Sequence, residues 1–165
     1  MRETVPRAGR NGKRGAHAVS TLSTVAVKAD QMVPFKGLWS GVTVSADPTG
    51  FPVIAIVSEG SGRLTHLGRY TMVSPHTTNI FTGETLGDQI FTAANGDTLT
   101  AYCEGSGLPD EAGIVEFTMD CTITSGTGRF QGATGSYDFH LVASPRTDGG
   151  PGYAPDAIIT GSISN

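Results

Sequence analysis

Ile114-Val115-Glu116-Phe117-Thr118-Met119-Asp120-Cys121-Thr122-Ile123-Thr124 is the most regular stretch of the chain. Val115, Phe117, Met119, Cys121 and Ile123 take every second position, and Glu116, Thr118, Asp120, Thr122 and Thr124 fill the gaps. A period of two belongs to an extended strand with one face buried and the other in water. The same alternation recurs on both sides. Tyr137, Phe139 and Leu141 oppose Ser136, Asp138 and His140, while Leu99, Ala101 and Cys103 oppose Thr98, Thr100 and Glu104.

Working outward, short alternating runs closed by Gly, Pro, Asn or Asp fill the chain from Pro34 onward. They predict strands over Phe35 to Ser45, Val53 to Glu59, Arg63 to Ser74, Asp88 to Ala94, Asp97 to Glu104, Ile114 to Thr124, Ser136 to Val142 and Ala157 to Ile163. Gly60-Ser61-Gly62 is read as a turn. Asn95-Gly96 is the strongest hairpin signal, both residues accepting the positive φ of a type I′ turn. Eight strands with hairpin-length connections predict an all-β fold, an eight-stranded antiparallel β-barrel of calycin-like type. At that strand number a sheet can close around its own side chains or one small ligand.

Composition agrees. The chain has 165 residues, 23 of them Gly, with 38% hydrophobic and 16% charged residues. That is one domain with a tail and no material for a helix bundle. No run of ~18 apolar residues is present for a membrane-spanning helix. Charge is segregated: residues 1–33 carry six basic and two acidic side chains, and 34–165 carry five basic and thirteen acidic ones. The expected division is a basic N-terminal extension, 1–33, and a barrel domain, 34–165. An acidic body disfavours nucleic acid and anionic membrane as partners. The extension reads as a solvated tail, as a strap docked on its own acidic barrel, or as an export signal, with Ala16–Val27 a poor hydrophobic region rich in hydroxyls. The cytoplasm is the expected compartment, with export the alternative. Cys103 and Cys121 fall on inner faces of neighbouring strands, so a cross-strand disulfide is open to them, but buried free thiols are expected.

No nucleophile elbow, phosphate loop, HExxH or zinc-spaced cysteine pair occurs, and the four histidines are scattered; no metal and no cofactor is expected. The densest polar run is Ser58 to Thr71. If Leu64, His66, Tyr70 and Met72 face inward, an imidazole and a phenol look into the barrel; the opposite parity puts Thr65, Arg69 and Thr71 there. Glu59 sits in an apolar strand, where burial without a cation would raise its pKa and make it an acid. The competing reading pairs it with Arg63 or Arg69. Val53, Ala55 and Val57 alternate with Ile54 and Ile56, an apolar strand on both faces that suggests a subunit contact and hence a homo-oligomer.

Three blocks carry a resemblance: Glu59-Gly60-Ser61-Gly62 through Thr65-His66-Leu67-Gly68-Arg69, Phe91 through Leu99, and Gly126 through Ser136. They resemble the small bacterial proteins of the allene oxide cyclase barrel-like group, a fold shared with dirigent proteins and with bacterial cyclases of spirotetronate-type polyketides. The resemblance covers most of 34–165 and implies a cofactor-independent cyclase. Such an enzyme would fold a linear apolar intermediate for intramolecular closure such as a [4+2] cycloaddition, in some members beneath an N-terminal lid. The expected donors and acids are Tyr70, His66, Tyr137 and Glu59. The expected wall is Trp39, Met72, Phe91, Phe117, Met119 and Phe139, for which ordinary core packing is the alternative. A non-catalytic small-molecule-binding barrel and an exported structural barrel are the other functional classes.

Overall fold

The computed structural model describes residues 31–164. The readings placed on residues 1–30, as tail, strap, export signal or lid, lie outside the described residues. Eight strands, β1 (Val33–Asp47), β2 (Val53–Leu64), β3 (Gly68–Asn79), β4 (Glu84–Ala93), β5 (Thr98–Ser106), β6 (Val115–Gly126), β7 (Thr134–Pro145) and β8 (Tyr153–Ser164), pair antiparallel in chain order. β1 pairs with β8, and the barrel is closed. The expected eight-stranded antiparallel barrel is the fold observed. Among the described residues no helix is long and apolar enough to cross a membrane.

Gly60-Ser61-Gly62 does not turn the chain; β2 runs through it to Leu64, and the reversal comes at Thr65–Leu67. The glycines serve packing instead. A Cβ on Gly60 would lie 2.8 Å from the Trp39 indole, and one on Gly62 would lie 2.7 Å from the Tyr70 hydroxyl. Nearer still are the β1 carbonyls of Ser40 and Leu38, so the missing side chains admit both the close approach of the β1 backbone and two large rings on adjacent strands. Asn95-Gly96 does join β4 to β5, but only Gly96 has positive φ (+89°). Gly96 N donates to Ala93 O and Ala93 N to Asp97 O, a three-residue loop with a glycine bulge rather than the expected type I′ turn.

Inward parity follows the expected assignment on β5, β6 and β7. Cys103 and Cys121 are opposite one another in register and form a disulfide with Cα atoms 4.1 Å apart. The expected free thiols are therefore corrected: parity put both sulfurs on the inner face, and register put them face to face.

The interior divides into two halves. At the end holding the β2–β3, β4–β5 and β6–β7 connections, Phe35, Phe91 and Phe130 are completely or almost completely buried, joined by Leu67, Leu99 and Ile163. Phe35, Phe91, Tyr70 and Tyr137 form one ring cluster with centroids 5.2–6.2 Å apart. This half is solid. The other half, below the β1–β2, β3–β4, β5–β6 and β7–β8 connections, is open.

Candidate functional site: a half-open barrel

The open half holds a cavity of about 290 Å³, at the lower end of the ~300–1,000 Å³ usual for small-molecule sites. Its two sides differ. Val115, Phe117, Met119, Leu141 and Ala143 from β6 and β7 make an apolar wall, whereas Ser58, Ser74, His76, Thr78, Thr85 and Gln89 from β2, β3 and β4 make a polar one. Trp39, Met72 and Phe139 also line the cavity. Ile54 and Ile56 line it too, which settles the ambiguous parity of β2: Val53 and Ala55 point outward. Ile80 and Leu108 stand at the mouth, where exposed Phe51 and Phe81 pack edge to face at 5.4 Å in the adjoining loops.

No Asp, Glu, Lys or Arg is among the described residues lining the cavity. His76 is the one group there that titrates near neutrality. Its Nδ1 lies 2.9 Å from the Ser74 carbonyl, which can only accept. Nδ1 therefore carries the hydrogen, and the neutral ring keeps its Nε2 lone pair as an acceptor. Burial pushes the imidazole below its ordinary pKa, and the bond to Ser74 opposes that shift only in part. Gly87 faces His76 across the ladder, and a Cβ there would lie 2.5 Å from the His76 Cβ; its absence gives the ring space. Gln89, buried, accepts at Oε1 from the Tyr137 hydroxyl at 2.8 Å, which leaves its carboxamide NH2 as a donor. On the strand pair β3–β4, Gln89 is two positions along from Gly87, the residue opposite His76, the diagonal relation that long side chains can bridge.

The residues expected to do chemistry lie elsewhere. His66 sits exposed at the centre of the β2–β3 turn with φ +67°, where Leu67 N donates to Thr65 O. Glu59 points outward with Val53, is exposed, and forms no ion pair among the described residues, so neither a buried acid nor the Arg63 or Arg69 pairing is found. Tyr70 and Tyr137 do face inward but belong to the solid half, bonded to Leu38 O and Gln89 respectively. Burial raises both phenols above their ordinary value. Of the expected wall, Trp39, Met72, Phe117, Met119 and Phe139 line the cavity, and Phe91 is packed in the solid half.

His76 escaped the sequence reading because Pro75 and Gly87 made 75–87 look like a loop; Ser58, Ser74 and Gln89 fell within expected strands but were not singled out as site residues. The signal was present: Tyr70 and Met72 face inward, and carrying that parity across Pro75 gives Ser74, His76 and Thr78. Among the described residues no group of three His, Cys, Asp or Glu gathers as metal ligands.

Fold and cavity together define a small closed antiparallel barrel with one plugged end and one receiving end. No family model matches the sequence, and comparison with curated proteins and with solved structures finds no match.

Proposed function

We propose that the protein receives a small, largely apolar molecule in the open half of its barrel and promotes its intramolecular cyclisation without a cofactor, as a cyclase of natural-product, polyketide-type biosynthesis. The observation that carries this reading is the cavity in the open half, whose walls hold no formal charge apart from what His76 can take up. A concerted [4+2] closure develops little charge, so it needs no carboxylate or guanidinium; it needs the chain held in one reactive shape. Removing the rotational freedom of a linear guest contributes several kcal/mol, up to ~7–11 in the most favourable intramolecular reactions. The Gln89 NH2 is a buried donor able to polarise a guest carbonyl, a role expected of Tyr70, His66 or Tyr137 from the sequence. The volume supports a guest smaller than a full polyketide chain: about 290 Å³ corresponds to roughly ten groups of water size at ~30 Å³ each.

A second reading is favoured by a specific observation. Tyr70, His66, Tyr137 and Glu59 are not gathered at the cavity, which suits a non-catalytic carrier. Trp39, the chain's single tryptophan, lines the cavity and reports occupancy by its fluorescence. Incubating the protein with a short linear triene ketone separates the readings. A product of unchanged mass, formed only with protein present, supports the cyclase; a Trp39 response with the ketone recovered intact supports the carrier and overturns catalysis.

The Cys103–Cys121 disulfide supports an exported protein over a cytoplasmic one, since such bonds persist in oxidising compartments. Support for self-association comes from an outer groove over β1, β2, β7 and β8, lined by Ser61 to Arg63 of β2 and flanked by exposed Leu38, Val142 and Ile158.

A further inference from the structure

From the polar wall of the cavity we infer the chemical class of the guest: an uncharged hydroxy-ketone or enol-ketone, its hydroxyl donating to His76 Nε2 and its carbonyl accepting from the Gln89 NH2. The inference rests on the cavity being a binding site, as proposed above, and goes beyond it by fixing the polarity of what binds.

The argument is one of donors and acceptors. Ser74 O takes the His76 Nδ1 hydrogen at 2.9 Å, so the ring can only accept at Nε2 while neutral. Tyr137 donates to the Gln89 oxygen at 2.8 Å, occupying one of its two lone pairs, and the carboxamide NH2 is left as a donor. Thr78 and Thr85 are bonded to each other at 3.0 Å, Thr85 also reaches Gly83 O, and Thr43 Oγ1 accepts from Tyr153 N. The polar groups nearer the mouth are thus largely satisfied from within. The Ser58 and Ser74 hydroxyls can each donate or accept, Ser74 Oγ lying 3.5 Å from His76 Nδ1, and the buried Trp39 Nε1 is a further donor. On β3 and β4 the His76 Nε2 acceptor and the Gln89 NH2 donor are diagonal neighbours, facing the apolar wall of β6 and β7. A guest with matching groups satisfies both and leaves its hydrocarbon against Phe117, Met119 and Leu141.

A carboxylate guest fits poorly. Facing His76 are Ile56 on β2 and Gly87 on β4, neither titratable, and among the described residues the only other ionisable group lining the cavity is the Tyr153 phenol. An anion would have to force a proton onto an imidazole that burial keeps neutral.

The test uses the full chain and three rigid, transparent probes: 5-hydroxy-2-adamantanone, 2-adamantanone and 1-adamantanecarboxylate, titrated against Trp39 fluorescence at pH 7.5 and pH 5. At pH 7.5 the hydroxy-ketone binds roughly 3- to 10-fold more tightly than the ketone, the worth of one hydrogen bond between neutral groups, and the carboxylate binds weakest. Acid narrows the advantage of the hydroxyl, because protonated His76 no longer accepts, and it strengthens the carboxylate. His76→Phe removes both the preference and its pH dependence; the pH series on the unaltered protein stands even if that variant does not fold. A carboxylate that binds tightest at pH 7.5, or a hydroxyl that adds nothing while the ketone still binds, overturns the inference and leaves the cavity as a site. If none of the three probes binds, the binding reading itself falls.

Discussion

Phe35 and Phe117 are both inward-facing phenylalanines, yet they sit in different halves of the barrel and do different work. Phe35 is wholly buried within the ring cluster, and its replacement by Ala is expected to cost ~3–5 kcal/mol in urea unfolding. Phe117 lines the cavity and is only partly buried, so Phe117→Ala leaves less void behind and costs well under ~3 kcal/mol, while it alters the Trp39 response to a guest. His76 makes a pH prediction. Its folded pKa lies below the ordinary 6.5 because burial disfavours the cation. The unfolded chain therefore takes up a proton first as pH falls, and the stability that neutral His76 supports is present above about pH 6.5 and is lost as pH drops through the folded value. Urea midpoints measured from pH 7.5 to pH 4.5 should fall across that window for the wild type and less steeply for His76→Gln. At this scale the wall was legible and the chemistry was not. Phe117, Met119 and Phe139 follow from period-two parity, which reports the side of the sheet, whereas the parity of Met72 was left open and Trp39 was named without one; which inward ring meets the cavity depends on height along the barrel, which parity does not encode.

β2 shows why elements were easier to read than their ends. Its alternation fixed an extended strand, but Gly60 and Gly62 carry two opposite meanings in sequence, chain reversal or close ring contact, and only the partner strands choose between them. Here the rings of Trp39 and Tyr70 choose. Gly62→Ala is expected to destabilise by ~1–3 kcal/mol, as overpacking does; the new methyl meets the Leu38 carbonyl first and the Tyr70 hydroxyl next, so Tyr70→Phe should relieve only the smaller part of that loss, and a double-mutant cycle in urea checks the coupling. The β5–β6 pair carries the disulfide between positions 18 apart in sequence. Closing a loop of that length is worth about 3 kcal/mol through the unfolded chain, so a reducing agent should lower the urea midpoint while Cys103→Ala/Cys121→Ala, already lacking the bond, shows no response to it. Register, unlike parity, is set by hydrogen bonding between strands and by the irregularity at Thr100/Ala101, which is why the pairing of the two sulfurs was not predicted.

For the whole molecule, the strand count and hairpin-length connections sufficed to announce a closed barrel, because eight short antiparallel strands leave two hydrophobic edges unless the first meets the last. The division into a solid and a hollow half was not announced, since it depends on Phe130 and Leu67 entering from connections whose sequences look like loops. Val33 begins β1 at the solid end, so a lid formed by the preceding residues has to travel the outside of the barrel, ~3.3 Å per extended residue, to reach the mouth. Deleting residues 1–32 is expected to leave the β-type circular dichroism spectrum intact and, if the segment serves as a lid, to speed release of a guest followed by Trp39; an unchanged release rate removes the lid. Val33 pairs with Ile163, and Ser164 follows at the same pole. A molecule tethered through either extremity of the barrel would thus stand with its cavity mouth turned away from the anchor, leaving that opening unobstructed by its attachment.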